Sequence, residues 1–68
     1  MLLPVVREAA EILGGIQVLA DVLGIKRQAF YMWKRVPPNR VIALELASGI
    51  PRQRIRPDLY PPQRYRAA

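Results

Sequence analysis

Residues 16–35, IQVLADVLGIKRQAFYMWKR, hold most of what decides the fold. Leu19, Ala20 and Leu23 fall at i, i+1 and i+4, one apolar face of a helix. Ala20 is small where a second helix must cross closely. Gly24 follows Leu23 and reaches positive φ without steric cost, so it ends this helix in a tight turn. Ile25 tucks back from the turn. Phe30 and Trp33, three residues apart, face inward from the next helix. Lys26, Arg27, Gln28, Tyr31, Met32 and Arg35 are left on its outward side. A plain helical hairpin would share this core spacing. The run Ala20, Gly24, Ile25 and then an aromatic pair is more specific, and the outward side carries three cations, a glutamine and no acid. The pattern predicts a helix-turn-helix.

Charge extends that reading. Residues 1–25 set Arg7 against Glu8, Glu11 and Asp21, a net −2, whereas residues 26–68 set ten lysines and arginines against Glu45 and Asp58, a net +8. The positive half begins where the second helix of the pair begins. A sequence pI of 10.9 with this asymmetry points to a polyanionic partner. A merely solvated basic surface is the plainer alternative, weakened because the cations are concentrated rather than scattered.

Sixty-eight residues are read as one domain. A chain of this size buries only about 60% of the surface it exposes when unfolded, so its stability is modest. Cysteine and histidine are both absent, which excludes a disulfide or a cysteine- or histidine-based metal site. The start, MLLPVVREAAEILGG, lacks a basic leader and is interrupted by Arg7, Glu8 and Glu11, so it does not read as a signal peptide. No run approaches the roughly 18 apolar residues that span a bilayer. An intracellular, cytoplasmic protein is the expectation.

The remaining elements follow from their start and stop residues. The first helix is expected over Pro4–Leu13, with proline tolerated in the first turn and Gly14-Gly15 as the stop. Its inward stripe is Val5, Val6, Ala9, Ile12 and Leu13, with Arg7, Glu8 and Glu11 toward water. The second helix is Ile16–Leu23 and the third about Arg27–Lys34, ended by Val36-Pro37-Pro38. The fourth covers about Pro38–Ser48, stopped by Gly49, and Ile50-Pro51 opens a short turn through Ile55. Residues 56–62 are expected to be irregular, with Leu59 and Tyr60 packed back on the core, and Gln63–Ala68 to form a loose basic tail. The architecture is therefore all-α, a bundle of about five short helices over residues 1–62. The fourth helix is apolar nearly all round, more than one buried stripe needs. Either Ile50, Leu59 and the first helix cover the surplus, or it is a self-association face. Val18 and Val22 raise the same question.

The order Gly14-Gly15, Leu19-Ala20, Leu23-Gly24-Ile25, Trp33, Val36-Pro37 and Arg56-Pro57-Asp58-Leu59-Tyr60-Pro61 resembles the all-helical Cro repressors of lambdoid phages and the related YdaS-type antitoxins and regulators. The resemblance spans about residues 4–62. It implies a λ-repressor-like fold, operator binding as a dimer, and no catalysis. It also places Arg27, Gln28, Tyr31 and Met32 at base-facing positions. Arg27 suits O6 and N7 of guanine, with a phosphate as its alternative target. Gln28 suits N6 and N7 of adenine, and Met32 and the Tyr31 ring suit a thymine methyl. Core packing is the alternative for Met32, and a hydroxyl–phosphate contact for Tyr31. Relatives usually carry Ser or Thr where Lys26 stands. Lysine has no acceptor with which to cap the third helix, so Lys26 is expected to exchange helix stability for a phosphate contact.

Phosphate contacts are expected from Gln17 in the first turn of the second helix, where backbone N–H groups are unpaired, from Asn39 and Arg40, and from Lys26, Lys34 and Arg35. Two copies about a dyad would reach half-sites near 34 Å apart, so the expected partner is double-stranded DNA with a palindromic operator. A homodimer on DNA, with a monomer–dimer balance in free solution, follows. No cofactor, metal, membrane or small-molecule substrate is implied, and an enzyme is disfavoured because histidine, cysteine and a carboxylate cluster are all lacking. The main rival is an interaction protein that engages a partner through the segment bearing Pro57, Pro61 and Pro62. RNA binding ranks below both, because the A-form major groove is too narrow for side-chain readout. Membrane-surface binding ranks last, since the cations follow a folded helical unit.

Overall fold

Local chemistry sets the first helices. In the computed structural model, which describes residues 1–61, α1 spans Pro4–Leu13 with Pro4 in its opening turn after an extended Leu3. The expected tail Gln63–Ala68, and Pro62, lie outside the described residues. Gly14 stops α1 at φ 100°, and the Gly15 N–H donates to the Ala10 carbonyl at 2.7 Å. Helix α2 (Ile16–Leu23) closes in the same manner. Gly24 stands at φ 72° and donates to Asp21 O (3.2 Å), and Ile25 donates to Ala20 O (3.1 Å). This pair of bonds is a Schellman motif. It satisfies two carbonyls at the end of α2 and turns the chain back across Ala20.

Helix α3 spans Arg27–Met32, two residues short of the expected end at Lys34. Trp33 leaves the helix with extended backbone (ψ 129°), and Lys34 and Arg35 form a bend rather than a last turn. Tertiary demand explains the difference. Val36 must be buried, and Pro37 disfavours helical geometry in the residue before it, so the chain unwinds early to carry Val36 into the core. A single 3₁₀ turn, Pro38–Arg40, then precedes α4 (Val41–Ser48), where one continuous helix from Pro38 was expected. Gly49 ends α4 at φ 82°. A one-turn helix, α5 (Arg52–Ile55), follows Pro51. No strand occurs among the described residues.

Helix α1 packs on α2 and α4, α2 also on α3 and α4, and α5 on α4. Val6, Ala9, Leu19, Ala20, Phe30, Val36, Val41 and Leu44 form the centre of the core. Phe30 is the only buried residue of the six in α3. A helix of that length has no stability by itself, so this ring fastens it to the body. Trp33 is half-buried and meets Phe30 edge-to-face, with centroids 5.0 Å apart at 81°.

Two packing expectations fail. Ile12 was assigned inward but is 53% exposed, and Ala10 takes the buried place on α1. The stripe rotates because α1 must face both α2 and α4. Leu59 is exposed and only Tyr60 packs back against the core, because the turn at 57–59 carries all three of its residues outward before the chain returns. The surplus on α4 is therefore incompletely covered, and Leu46 remains 80% exposed. Val18 and Val22 are exposed as well.

Candidate nucleic-acid interface

The segment from Lys26 to Arg35 is held by its inner face and free on its outer one. Lys26 occupies the N-cap of α3 with extended backbone (φ −80°, ψ 144°), and its side chain makes no capping hydrogen bond. Its carbonyl accepts from the Ala29 N–H at 2.9 Å. Arg27, Gln28 and Tyr31 are exposed, and Met32 is 80% exposed, which removes core packing as the reason for that methionine. Lys34 and Arg35 are also exposed but sit on the bend after α3, not on the helix. Asn39 is exposed and Arg40 half-buried in the 3₁₀ turn. Gln17 lies on α2, where its amide donates to the Asp21 carboxylate at 2.9 Å. That places an acid beside the one glutamine expected to meet a phosphate.

The electrostatics are sharper than a residue count suggests. Arg52 pairs with Glu45 (2.8 Å), Arg54 with Glu8 (2.6 Å) and Arg56 with Asp58 (2.7 Å). These pairs tie α5 and the segment after it to α4, to α1 and to the adjoining turn. They consume three arginines of the basic half and three of the chain's five acids. Among the described residues, the cations without an ion-pair partner are then Arg7 on α1 and Lys26, Arg27, Lys34 and Arg40 around α3. Arg35 lies 3.5 Å from Asp58 with its side chain still largely in water. The hydrogen bond from Arg54 holds the Glu8 carboxyl below its ordinary range, and Glu8 in turn raises Arg54.

One cluster was not foreseen from the residues. Arg56 is only 7% exposed, the one charged residue buried among those described. Its guanidinium donates Nη1 to the Val36 carbonyl at 2.6 Å, and Nε and Nη2 to the two Asp58 carboxylate oxygens at 2.9 and 2.7 Å. This hydrogen bonding lowers Asp58 to about 2 and raises Arg56. The turn that presents Asp58 is closed by the Leu59 and Tyr60 N–H groups on the Arg56 carbonyl. Tyr60 lies under the Arg52 guanidinium, 5.5 Å from ring centroid to cation. The available signal was Arg-Pro-Asp itself, a turn-forming proline between opposite charges. Its target, the carbonyl of Val36, is twenty residues away and carries no side-chain signature.

A shallow groove of about 480 Å³ opens beside the α1–α2 turn between Leu2, Arg7, Glu11 and Ile16. Among the described residues no group of three or more acids, histidines or cysteines gathers as a metal site, and no helix is long and apolar enough to cross a membrane. A family model described as bacterial toxin YdaS matches residues 6–64. No curated relative and no solved structure matches the chain.

Proposed function

This chain belongs to the YdaS family, and on that premise we propose that it is a sequence-specific DNA-binding regulator of Cro-repressor type. In this reading α2 and α3 act as the helix-turn-helix. The observation that supports it most is the distribution of unpaired cations. Once Arg52, Arg54 and Arg56 are neutralised by their acids, the positive charge left over among the described residues is concentrated around α3. The outer face of α3 carries no acid and offers four unengaged side chains, Arg27, Gln28, Tyr31 and Met32.

Phosphates supply affinity and base edges supply choice. Arg27 and Gln28, at the start of α3, take the base-reading roles, each contact contributing about 1–3 kcal/mol of discrimination. Tyr31 and Met32 provide apolar contact one turn further on. Lys26, Lys34, Arg35, Asn39 and Arg40 flank that row and hold phosphates on either side. Gln17 belongs to the same set through the unpaired N–H groups at the start of α2, its amide being engaged by Asp21. A single copy reads only a few base pairs, so a dimer on a palindrome completes the site, in the cytoplasm and without catalysis.

Selection of binding sites from random duplexes tests the proposal. The expected product is a palindrome with half-sites about one helical turn, 34 Å, apart. Binding should weaken with a log–log salt slope near −5, as about six neutralised phosphates require. Selection that enriches no sequence over scrambled duplex refutes it.

A second reading makes the chain a member of a toxin–antitoxin pair that binds a protein through its C-terminal segment. The family's description as a toxin and the exposure of Pro57, Leu59 and Pro61 favour it. Leu59→Ser combined with Pro61→Ser would then lose a copurifying protein while keeping the selected duplex. Retention of that protein counts against this reading.

A further inference from the structure

We propose that Arg56 and Asp58 are positioning residues for the α3 face. They would set the course of the chain that leaves α3 without touching nucleic acid themselves. The inference rests on the DNA-binding reading and adds residues and a mechanism to it.

The arrangement begins at the Val36 carbonyl. Val36 is buried, and its C=O points to where no helix or strand supplies a partner. A buried carbonyl left unpaired is costly, and among the described residues its donor is Arg56 Nη1. Arg56 is itself buried, so its charge requires compensation, which the two Asp58 oxygens supply. Each group is needed because another is present. Arginine suits this place and lysine does not. A planar fork reaches one carboxylate through two nitrogens and a separate carbonyl through a third, whereas an ammonium is a single point.

The mechanical consequence falls on α3. This helix has six residues and one buried anchor, Phe30. Its N-terminal side is set by the Schellman turn at Gly24, and its C-terminal side leaves through Trp33, Lys34 and Arg35 to Val36. Arg56 fixes the far end of that exit. Asp58 also lies 3.5 Å from Arg35, so the same carboxylate steadies one of the flanking cations. The segment 56–60 is thus strapped beside the exit of α3, with Tyr60 under Arg52 completing the strap.

Asp58→Asn provides a test in which charge and positioning predict opposite signs. Affinity is measured on a duplex recovered by random-site selection and on a mixed-sequence duplex, each against salt, with folding followed by circular dichroism. Removing a negative charge and releasing Arg35 should by Coulomb attraction alone tighten binding to both duplexes. Positioning predicts the reverse on the selected duplex only, a loss of about tenfold, comparable to one misplaced base contact. Arg56→Lys keeps the charge and should show the same loss with an unchanged salt slope. If Arg56→Lys fails to fold, Asp58→Asn decides, since it keeps the arginine beside Val36 and removes only the carboxylate charge that holds its fork in place. Tighter or equal binding of the selected duplex by folded Asp58→Asn overturns the inference. So does wild-type affinity for the selected duplex in folded Arg56→Lys, which would show that the guanidinium fork positions nothing. If the wild-type chain enriches no duplex, the DNA reading itself falls and this inference falls with it. That outcome is distinct from failure in the variants alone.

Discussion

Replacing Lys26 by serine should make the protein more stable and a weaker DNA binder at once. Lys26 sits at the N-cap of α3 with φ −80° and ψ 144°, the extended geometry in which a serine Oγ reaches the N–H groups two and three residues on. The lysine leaves those amides without a side-chain acceptor. Supplying one is worth about 0.5–2 kcal/mol. In a domain of this size each kcal/mol moves the midpoint by about 4–8 °C, so a rise in Tm of several degrees is expected. Binding should respond in the other direction. If Lys26 neutralises one phosphate, its loss makes the salt slope shallower by about 0.9. Between 50 and 200 mM salt the wild type should then lose about three to four times more affinity than the variant does. Lys26→Ala separates the two effects, because it removes the cation without adding a cap. It should match serine in the salt slope and show none of the gain in Tm. Thermal melts by circular dichroism and binding by fluorescence anisotropy across a salt series measure both quantities. A Lys26→Ser protein that melts higher yet binds with wild-type affinity and slope refutes the claim that this lysine contacts a phosphate.

Three other expectations follow from the geometry. The Asp58 carboxyl titrates at about 2 in the folded chain against an ordinary value of 3.8, so its contribution is complete above about pH 4 and disappears as pH falls through 2. Urea midpoints of the wild type should decline over that window more steeply than those of Asp58→Asn, and equal acid dependence would remove Asp58 as the cause. Gly24→Ala should destabilise by about 1–2 kcal/mol although open space surrounds the new methyl, because φ 72° is disfavoured for any residue with a Cβ; an unchanged denaturation midpoint would contradict this. On a panel of single-base variants of a selected site, Arg27→Ala should relax choice at one base pair, whereas Arg40→Ala should weaken all sites alike. Uniform loss in Arg27→Ala would take that residue out of the base-reading set.

How legible each element was depended on the range of the interactions that set it. The limits of α1 and α2 and the end of α4 were open to reading because Pro4, Gly14-Gly15, Gly24 and Gly49 act within a few residues of themselves. So were the uncapped start of α3 and the outward placement of Arg27, Gln28, Tyr31 and Met32, which follow from helical spacing once Phe30 is taken as the anchor. The end of α3 was misjudged because Lys34 and Arg35 favour helix by themselves, and only the burial of Val36 overrides them. Ile12 was misjudged because an apolar stripe on α1 does not reveal that two helices, not one, lie against it.

The amino-acid sequence by itself determined an all-helical chain, four of its turn positions and the basic character of the α3 segment, since backbone preference and helical period are local properties. Only the tertiary structure decided which cations are available. Arg54 finds Glu8 across forty-six residues and Arg56 finds the carbonyl of Val36 across twenty, contacts that exist because of how α1, α4 and α5 are stacked. Ion pairing depends on distance in space, and a count of charges along the chain treats the ten cations of the basic half alike, whereas among the described residues the fold keeps Arg52, Arg54 and Arg56 for itself.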